Sequence, residues 1–278
     1  MEDKKKYKIV ASDLDGTLLN EAQTVSRENL QAIGEMKQLG VEFVPTTGRA
    51  LNEIHPALMD SPDIRYIITS DGAAVWDKKS EKMVITRYIS KDTVRLILDT
   101  IQPYNVFIVA HEGGKTYYDK QKYTPAFLKT CRIDSYFGHI ISRHATSVEN
   151  LENFLAASDK VEMMALFFEL EEAIVACKQI FENSGKLCAA RSAENNLEVY
   201  SSDAGKGKTL AAFADALGVD IADVIAVGDS NNDITLVETA GLGLAMENAT
   251  DELKAIADQT ICKNSEHCAR YILEKIIQ

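Results

Sequence analysis

The acidic stretch Asp13-Leu14-Asp15-Gly16-Thr17-Leu18 follows the apolar run Ile9-Val10-Ala11, which predicts a buried strand that ends in two carboxylates. In an extended chain, residues two apart point to the same side, so Asp13 and Asp15 would be neighbours. Two such charges ~4 Å apart repel by ~4 kcal/mol at an effective dielectric of ~20. A bound cation or a retained proton would offset that repulsion. The plainer interpretation is a solvated turn, which Gly16 would permit.

Composition and charge narrow the class of protein. The 278 residues exceed the usual size of a single core and predict two domains. A hydrophobic content of 46% with 26% charged residues is typical of a globular protein. The net charge of −12 argues against a nucleic-acid partner. No apolar run approaches the ~20 residues of a spanning helix, so we expect no membrane segment. Five scattered cysteines without C-x-x-C spacing favour reduced thiols and a cytoplasmic protein. The oligomeric state stays open and is compatible with a monomer.

Two segments of the sequence, 7–83 and 192–278, alternate between predicted strands and helices. Ser26 and Gly40 bound a predicted helix, and short strands are predicted at Val41–Val44 and Ile64–Thr69. This βα rhythm predicts a Rossmann-like α/β core with a parallel sheet. In such a sheet the loops at the carboxyl ends of the strands gather at one edge, where ligands bind. We therefore expect residues 1–83 and 192–278 to form one discontinuous domain.

The intervening segment, 84–191, has a different pattern. Val84–Ile89 is predicted as a strand, Ser90 as a helix start, and Glu112-Gly113-Gly114 as the turn of a hairpin. Hairpins mixed with helices predict an inserted α+β domain whose sheet is largely antiparallel. Residues 120–145 carry no clear pattern.

Three further motifs fall at predicted strand ends or helix starts. Asp229 and Asp233 follow a buried strand, just as Asp13 does, and carboxylates without His or Cys suit Mg²⁺. Thr47-Gly48 offers a hydroxyl and free N–H groups to an anion, and Lys206 adds a cation. Each motif alone has a plainer interpretation: an Asn-rich turn, a helix cap or a surface lysine. Together they favour a phosphate site with a metal.

The motif order D-L-D-G-T-L, T-G-R, G-K-G and G-D-S-N-N-D resembles the haloacid dehalogenase superfamily of phosphohydrolases. An insertion between the second and third motifs is similar to the large α/β cap of its Cof-type subfamily, and Gly241–Ala249 (G-L-G-L-A-M-E-N-A) matches that subfamily's pattern. The resemblance spans nearly the whole chain. It implies a Rossmann-like catalytic core and a cap that reads the leaving group.

The resemblance also implies a role for each matching residue. Asp13 would be the nucleophile that forms an aspartyl-phosphate, and Asp15 would be the general acid and then the general base. Asp13, the carbonyl of Asp15 and Asp229 would hold Mg²⁺, while Asp233 would support Lys206 or metal-bound water. The implied phosphate-binding groups are the Leu14 N–H, Thr47, the Gly48 N–H, Lys206 and Asn232.

Two positions depart from the subfamily pattern. Asp71-Gly72 replaces its usual Asn-Gly, and His267-Cys268 replaces a Gly-Val pair. An ionised Asp71 would pair with Arg49 or Lys206, accept a substrate hydroxyl, or only cap the turn before Gly72. Arg49 and Asp71 are candidates for substrate specificity. Further candidates, for which packing or surface roles are the stronger alternative, are Tyr117, Tyr118 and Arg191 in the inserted segment and Tyr200 just after it.

These inferences predict a Mg²⁺-dependent phosphatase of small phosphorylated metabolites, with sugar phosphates as the expected substrates. One alternative is a sugar phosphomutase of the same fold. Another is a sensor that binds a phosphorylated metabolite without turnover, although a sensor has no need of a nucleophile.

Overall fold

The computed structural model describes residues 7–133, 135–191 and 194–278, in which strands alternate with short helices. The strands are β1 (Ile9–Ser12), β2 (Glu42–Pro45), β3 (Tyr66–Thr69), β4 (Ala74–Asp77), β5 (Lys82–Thr86), β6 (Val106–Glu112), β7 (Lys115–Asp119), β8 (Thr146–Val148), β9 (Val161–Phe168), β10 (Leu187–Ala190), β11 (Asn196–Ser201), β12 (Val224–Gly228), β13 (Leu242–Ala245) and β14 (Gln259–Thr260). The helices are α1 (Arg27–Gln38), α2 (Pro56–Met59), α3 (Lys91–Ile101), α4 (Pro125–Thr130), α5 (Ser135–His144), α6 (Leu151–Ala157), α7 (Glu171–Asn183), α8 (Lys206–Ala216), α9 (Ile234–Thr239), α10 (Asp251–Ile256) and α11 (Cys268–Ile272).

The chain divides into two compact units, which we name by their residues. The core unit comprises Met1–Gly48, Ile54–Thr86 and Gly205–Gln278, and the cap unit comprises Arg49–Glu53 and Arg87–Ala204.

A five-stranded parallel sheet in the order β14-β13-β12-β1-β2 forms the centre of the core unit. Its middle strand, β1, pairs with β12 on one side and β2 on the other. All residues of β1 and β12 are buried, as expected for parallel strands that are covered on both faces. The predicted α/β fold is confirmed. Because these strands are parallel, Asp13 and Asp229, which follow β1 and β12, lie at the same edge.

Local sequence signals explain the first helix. The Ser26 hydroxyl accepts a hydrogen bond from the Asn29 N–H at 3.1 Å, and Ile33 and Met36 turn their side chains into the core. The chain leaves the helix through Gly40, whose φ is +77°. Both predicted ends of this helix are confirmed, and Ser90 caps α3 in the same way.

The strand predicted at Ile64–Thr69 exists as β3, but its partners differ from those expected. β3 pairs antiparallel with β4, which pairs antiparallel with β5, and β3 meets the parallel sheet through one bridge between Thr46 and Ile68. The sequence around β5 was predicted as the first cap strand, Val84–Ile89. Instead β5 ends at Thr86, because its pairing with β4 keeps it in the core unit.

The cap unit contains a six-stranded sheet in the order β10-β11-β9-β6-β7-β8. All its pairs are antiparallel except β7 with β8, and the predicted hairpin through Gly113-Gly114 joins β6 to β7. Alternate residues of β6 and β9 belong to two separate apolar clusters, because successive side chains of a strand point to opposite faces of the sheet. The segment 120–145, which carried no clear sequence pattern, contains α4 and α5.

The boundaries of the cap unit differ from those predicted from the sequence. It was expected to span 84–191, whereas the structure extends it to Ala204. The reason is that β11 (Asn196–Ser201) pairs with β9 and β10 and completes the cap sheet.

The segment Arg49–Glu53 also belongs to the cap unit, although the sequence placed it in the core. The buried Glu53 carboxylate accepts hydrogen bonds from the Thr116 hydroxyl at 2.8 Å and from the Ala50 N–H at 3.1 Å. The Asn52 N–H donates to the Gly114 carbonyl at 3.0 Å. These bonds attach the segment to the β6–β7 hairpin, which hydrophobic periodicity along the chain does not reveal.

Candidate active site

The turn after β1 carries the first two acidic residues. The Asp13 N–H donates to the Val227 carbonyl at 3.0 Å, and the turn closes with a 2.8 Å bond from the Leu19 N–H to the Leu14 carbonyl. Gly16 has a φ of +75°, and a Cβ on it would lie 2.3 Å from Asp229 Oδ2. Glycine at this position therefore makes the turn possible and lets Asp229 come close to the backbone.

Lys206 is buried between two carboxylates at the start of α8. Its Nζ donates to Asp13 Oδ1 at 2.8 Å and to Asp233 Oδ1 at 2.6 Å, and only 1% of the lysine is exposed. Burial would lower the pKa of Lys206, but Asp13 and Asp233 outweigh it and hold that pKa well above its ordinary value. Lys206 is therefore a permanent cation in this site.

Negative charge nevertheless exceeds positive charge around Asp13. Burial, followed by the charge of Asp233, raises the pKa of Asp13 well above its ordinary value, and Lys206 offsets this only in part. Burial and Asp233 also raise the pKa of Asp229 to about 6, against a 3.0 Å hydrogen bond from the Thr17 hydroxyl that lowers it. The cluster therefore favours the binding of a further cation.

The carboxylates of Asp13, Asp229 and Asp233 form a group that could hold a metal ion. One oxygen from each lies within 4.8 Å of the other two. All donors are carboxylate oxygens, which a hard divalent cation such as Mg²⁺ prefers. The sequence predicted Asp13 and Asp229 for this group together with the carbonyl of Asp15, and the structure adds the side chain of Asp233. Asp15 is half-buried and its carboxyl lies outside the group.

Asp233 lies completely inside the core unit and connects several parts of the site. Besides Lys206, its carboxylate accepts hydrogen bonds from the backbone N–H groups of Asp229 and Ser230, at 3.1 and 3.2 Å. The loop after β12 is therefore closed around this side chain. The family resemblance implied that Asp233 supports Lys206, and a direct hydrogen bond joins the two side chains.

The residues predicted to bind phosphate lie in the same unit. The Thr47 N–H donates to the Ile68 carbonyl at 3.0 Å, which places Thr47 beside the end of β3. The Asn232 Oδ1 accepts a hydrogen bond from the Ser230 hydroxyl at 2.6 Å, and its Nδ2 donates to Asp71 Oδ1 at 3.4 Å. Leu14 is buried, and Gly48 is the last residue of this part of the core unit.

Asp71 is a buried carboxylate on a left-handed backbone, with φ of +51° and 2% of its surface exposed. Of the cations predicted to pair with Asp71, Lys206 donates hydrogen bonds to Asp13 and Asp233. The turn before Gly72 closes through a backbone bond from the Ala73 N–H to the Ser70 carbonyl, so it does not need the Asp71 side chain.

Four of the specificity candidates have partners within the cap unit. Arg49 donates to the Glu53 carbonyl, and the exposed Arg191 forms a 2.7 Å ion pair with Glu171 and donates to the Glu194 carbonyl. Tyr117 packs on Phe154 and Tyr118 on Tyr123, each pair with ring centroids 4.7 Å apart. Tyr200 lies on β11.

Sequence reasoning missed two side chains that hold the acidic turn. Thr17 donates to Asp229, and the Asn248 amide donates to the Gly16 carbonyl at 2.8 Å. Both lie inside motifs that the sequence had already marked, so their polar side chains were the available signal.

Comparison with known proteins identifies the family. A family model described as haloacid dehalogenase-like hydrolase matches residues 10–273. The chain belongs to the haloacid dehalogenase-like hydrolases. The resemblance drawn from the sequence motifs, including the inserted cap of the Cof-type subfamily, is thereby confirmed.

Relatives of this haloacid dehalogenase-like hydrolase match over nearly their whole length. The phosphatase YwpJ of Bacillus subtilis (strain 168) is 27% identical, covering 97% of this chain and 100% of that protein. The 5-amino-6-(5-phospho-D-ribitylamino)uracil phosphatase YwtE of the same bacterium is 26% identical, with 97% and 98% covered. A solved haloacid dehalogenase-like hydrolase from B. subtilis is 26% identical and has a TM-score of 0.82, with 97% and 99% covered. Among the described residues of this chain, every helix is too short or too polar to span a bilayer.

Proposed function

We propose that this hydrolase removes phosphate from small phosphorylated metabolites through an aspartyl-phosphate on Asp13, with Mg²⁺ as its cofactor. As a family member similar to curated phosphatases, the chain is a phosphoric monoester hydrolase. The observation that carries the mechanism is the buried Asp13 carboxylate, held at 2.8 Å by Lys206 beside two further carboxylates.

In the first step, an Asp13 oxygen attacks the phosphorus atom and the bond from phosphorus to the leaving oxygen breaks. Asp15 donates a proton to that leaving oxygen, so the product departs as a neutral alcohol. Lys206 orients Asp13 and offsets the charge of the phosphoryl oxygens. Thr47, the Gly48 N–H and Asn232 would bind those oxygens, and the Leu14 N–H would assist.

In the second step, Asp15 takes a proton from a water molecule that attacks the same phosphorus. The bond between phosphorus and the Asp13 oxygen breaks, which releases inorganic phosphate and restores both side chains. Asp15 suits this role because it is half-buried and its carboxyl lies outside the group of three carboxylates.

Asp13, Asp229 and Asp233 would hold Mg²⁺, which supplies positive charge that offsets the repulsion between the substrate phosphate and the carboxylates. The residues fit this ion because their donors are all carboxylate oxygens. Burial and the charge of Asp233 raise the pKa of Asp229 to about 6, and a bound cation would stabilise its ionised form. The carbonyl of Asp15, which the family resemblance implies as a further ligand, remains part of this proposal.

Sugar phosphates and related polyol phosphates are the proposed substrates. The relative YwtE is named for a phosphorylated ribityl compound, which supports this class. The test is release of inorganic phosphate from a panel of sugar, polyol and aromatic phosphates with Mg²⁺, comparing the wild-type protein with Asp13→Asn. Phosphate release by the wild type alone supports the proposal. Equal release by both proteins would contradict it, and a rearranged sugar phosphate without free phosphate would indicate a mutase.

A further inference from the structure

One oxygen of the buried Asp71 carboxylate has no hydrogen-bond partner. Within the described part of the chain, Oδ2 of this residue receives no hydrogen bond, and Oδ1 receives only a long one, at 3.4 Å from Asn232. Buried carboxylate oxygens are normally satisfied, because the donors that water would supply must be replaced by others. The site therefore has an unused acceptor.

The position of this acceptor relates it to the phosphate-binding residues. A Cβ on Gly48 would lie 3.2 Å from Asp71 Oδ1 and 3.4 Å from Oδ2, so both oxygens border the Gly48 backbone. The Asp71 N–H donates to the Thr47 carbonyl at 3.1 Å. The charge of Asp71 also contributes to the raised pKa of Lys206. Asp71 thus borders Thr47, Gly48 and Asn232.

An ionised carboxylate at this place repels a phosphate group, so Oδ2 is unsuited to the phosphate itself. It is suited to a donor on the rest of the substrate, close to the phosphoester. Asp71 also adopts a left-handed backbone conformation, with φ of +51°, and such conformations of residues other than glycine cluster at functional sites.

We infer that Asp71 is a specificity-determining residue, whose free oxygen accepts a hydrogen bond from a hydroxyl or ammonium group within two carbons of the phosphoester oxygen. This inference rests on the proposed function and narrows it to phosphorylated polyols and amino alcohols. Substrates without such a donor leave the buried acceptor unsatisfied, and the enzyme discriminates against them.

The test uses two substrate pairs that differ in one donor. Glycerol 3-phosphate is compared with 3-hydroxypropyl phosphate, which lacks the 2-hydroxyl, and 2-aminoethyl phosphate with ethyl phosphate. The readout is the ratio of kcat/KM within each pair, measured with Mg²⁺. The wild type should prefer the donor-bearing member of at least one pair by roughly 10- to 100-fold, as expected for a hydrogen bond to a charged group. The preferred pair identifies the donor as hydroxyl or ammonium.

Two variants remove the acceptor in different ways. Asp71→Gly deletes the carboxylate and tolerates the left-handed backbone, and the preference should fall to about twofold or less. Asp71→Asn preserves the shape with a neutral, weaker acceptor, so its preference should be intermediate. Asp60→Asn, an exposed position of the core unit, makes the same chemical change elsewhere and should retain the wild-type ratio.

The outcomes separate this inference from the proposed function. If the wild type hydrolyses both members of each pair equally, or if Asp71→Gly and Asp71→Asn retain its preference, Asp71 does not read the substrate and a water molecule satisfies its oxygen. If the wild type releases no phosphate from these esters or from acetyl phosphate, the proposed function itself fails.

Discussion

Asp13→Asn should abolish hydrolysis and leave the protein as stable as before, or more so. The amide retains the shape of the side chain and an oxygen that can accept from Lys206, but it removes the nucleophile. Loss of a nucleophile that acts as part of a catalytic unit lowers kcat by roughly 10⁴-fold or more. The expected effect on stability follows from the charges around the residue.

The magnitude can be worked out from the distances. Carboxylate oxygens of Asp229 and Asp233 lie no farther than 4.8 Å from that of Asp13, and at an effective dielectric of ~20 each repels it by at least ~3.5 kcal/mol. Lys206, at 2.8 Å, attracts it by ~6 kcal/mol on the same scale. The two repulsions together slightly exceed the attraction. Asp13→Asn should therefore leave the free energy of unfolding unchanged or raise it by ~1 kcal/mol.

The assay is denaturant unfolding of both proteins in EDTA, with Lys206→Met as the contrasting variant. Lys206→Met leaves two buried carboxylates without their cation and should lower the free energy of unfolding by ~3–5 kcal/mol. A decrease of more than ~2 kcal/mol in the free energy of unfolding of Asp13→Asn would refute the charge argument, since a decrease of that size is typical of mutations that disrupt core packing. Undiminished phosphate release by Asp13→Asn would refute the mechanism.

Three further predictions concern the metal, the packing of α8 and the acid stability of the core. EDTA should stop hydrolysis and Mg²⁺ should restore it, whereas Ca²⁺ should replace it poorly because the larger ion takes more ligands in looser geometry; full activity after exhaustive chelation would contradict this. Gly207→Ala should lower the free energy of unfolding by ~1–3 kcal/mol, because its Cβ would lie 2.1 Å from the Thr235 carbonyl oxygen, and an unchanged thermal midpoint would contradict it. Two 3.0 Å hydrogen bonds from Arg65 hold the pKa of Asp77 well below its usual range, so Asp77 adds stability above the unfolded-state pKa of ~3.9 and loses it as pH falls further. The stability advantage of wild type over Asp77→Asn, measured by urea unfolding, should be constant near neutral pH and shrink below pH ~4.

Features set by neighbouring residues along the chain could be predicted from the sequence. Ser26 and Ser90 mark helix starts because a hydroxyl beside a helical segment satisfies a free backbone N–H. Glycines mark the hairpin between β6 and β7, and continuous apolar runs mark β1 and β12. The acidic residues after these two strands could be assigned to one edge, since parallel strands bring their carboxyl ends together.

Contacts between distant parts of the chain could not be predicted in this way. The bond from Lys206 to Asp13 joins residues 193 positions apart, and the sequence showed only that each had a suitable chemical type. The same limit explains why β11 was assigned to the core and why Arg49–Glu53 was not assigned to the cap. Strand partners and buried polar contacts depend on which surfaces meet, and local periodicity does not specify this.

Asp71 illustrates both sides of this division. Its departure from the subfamily pattern, and its place after a predicted strand, could be recognised in the sequence. That its backbone is left-handed, that it borders Gly48 and that one of its oxygens lacks a donor depend on the packing of β3, the loop after β2 and the loop after β12. Chemical type is therefore encoded residue by residue, whereas the environment that gives it a function arises only when these three segments fold together.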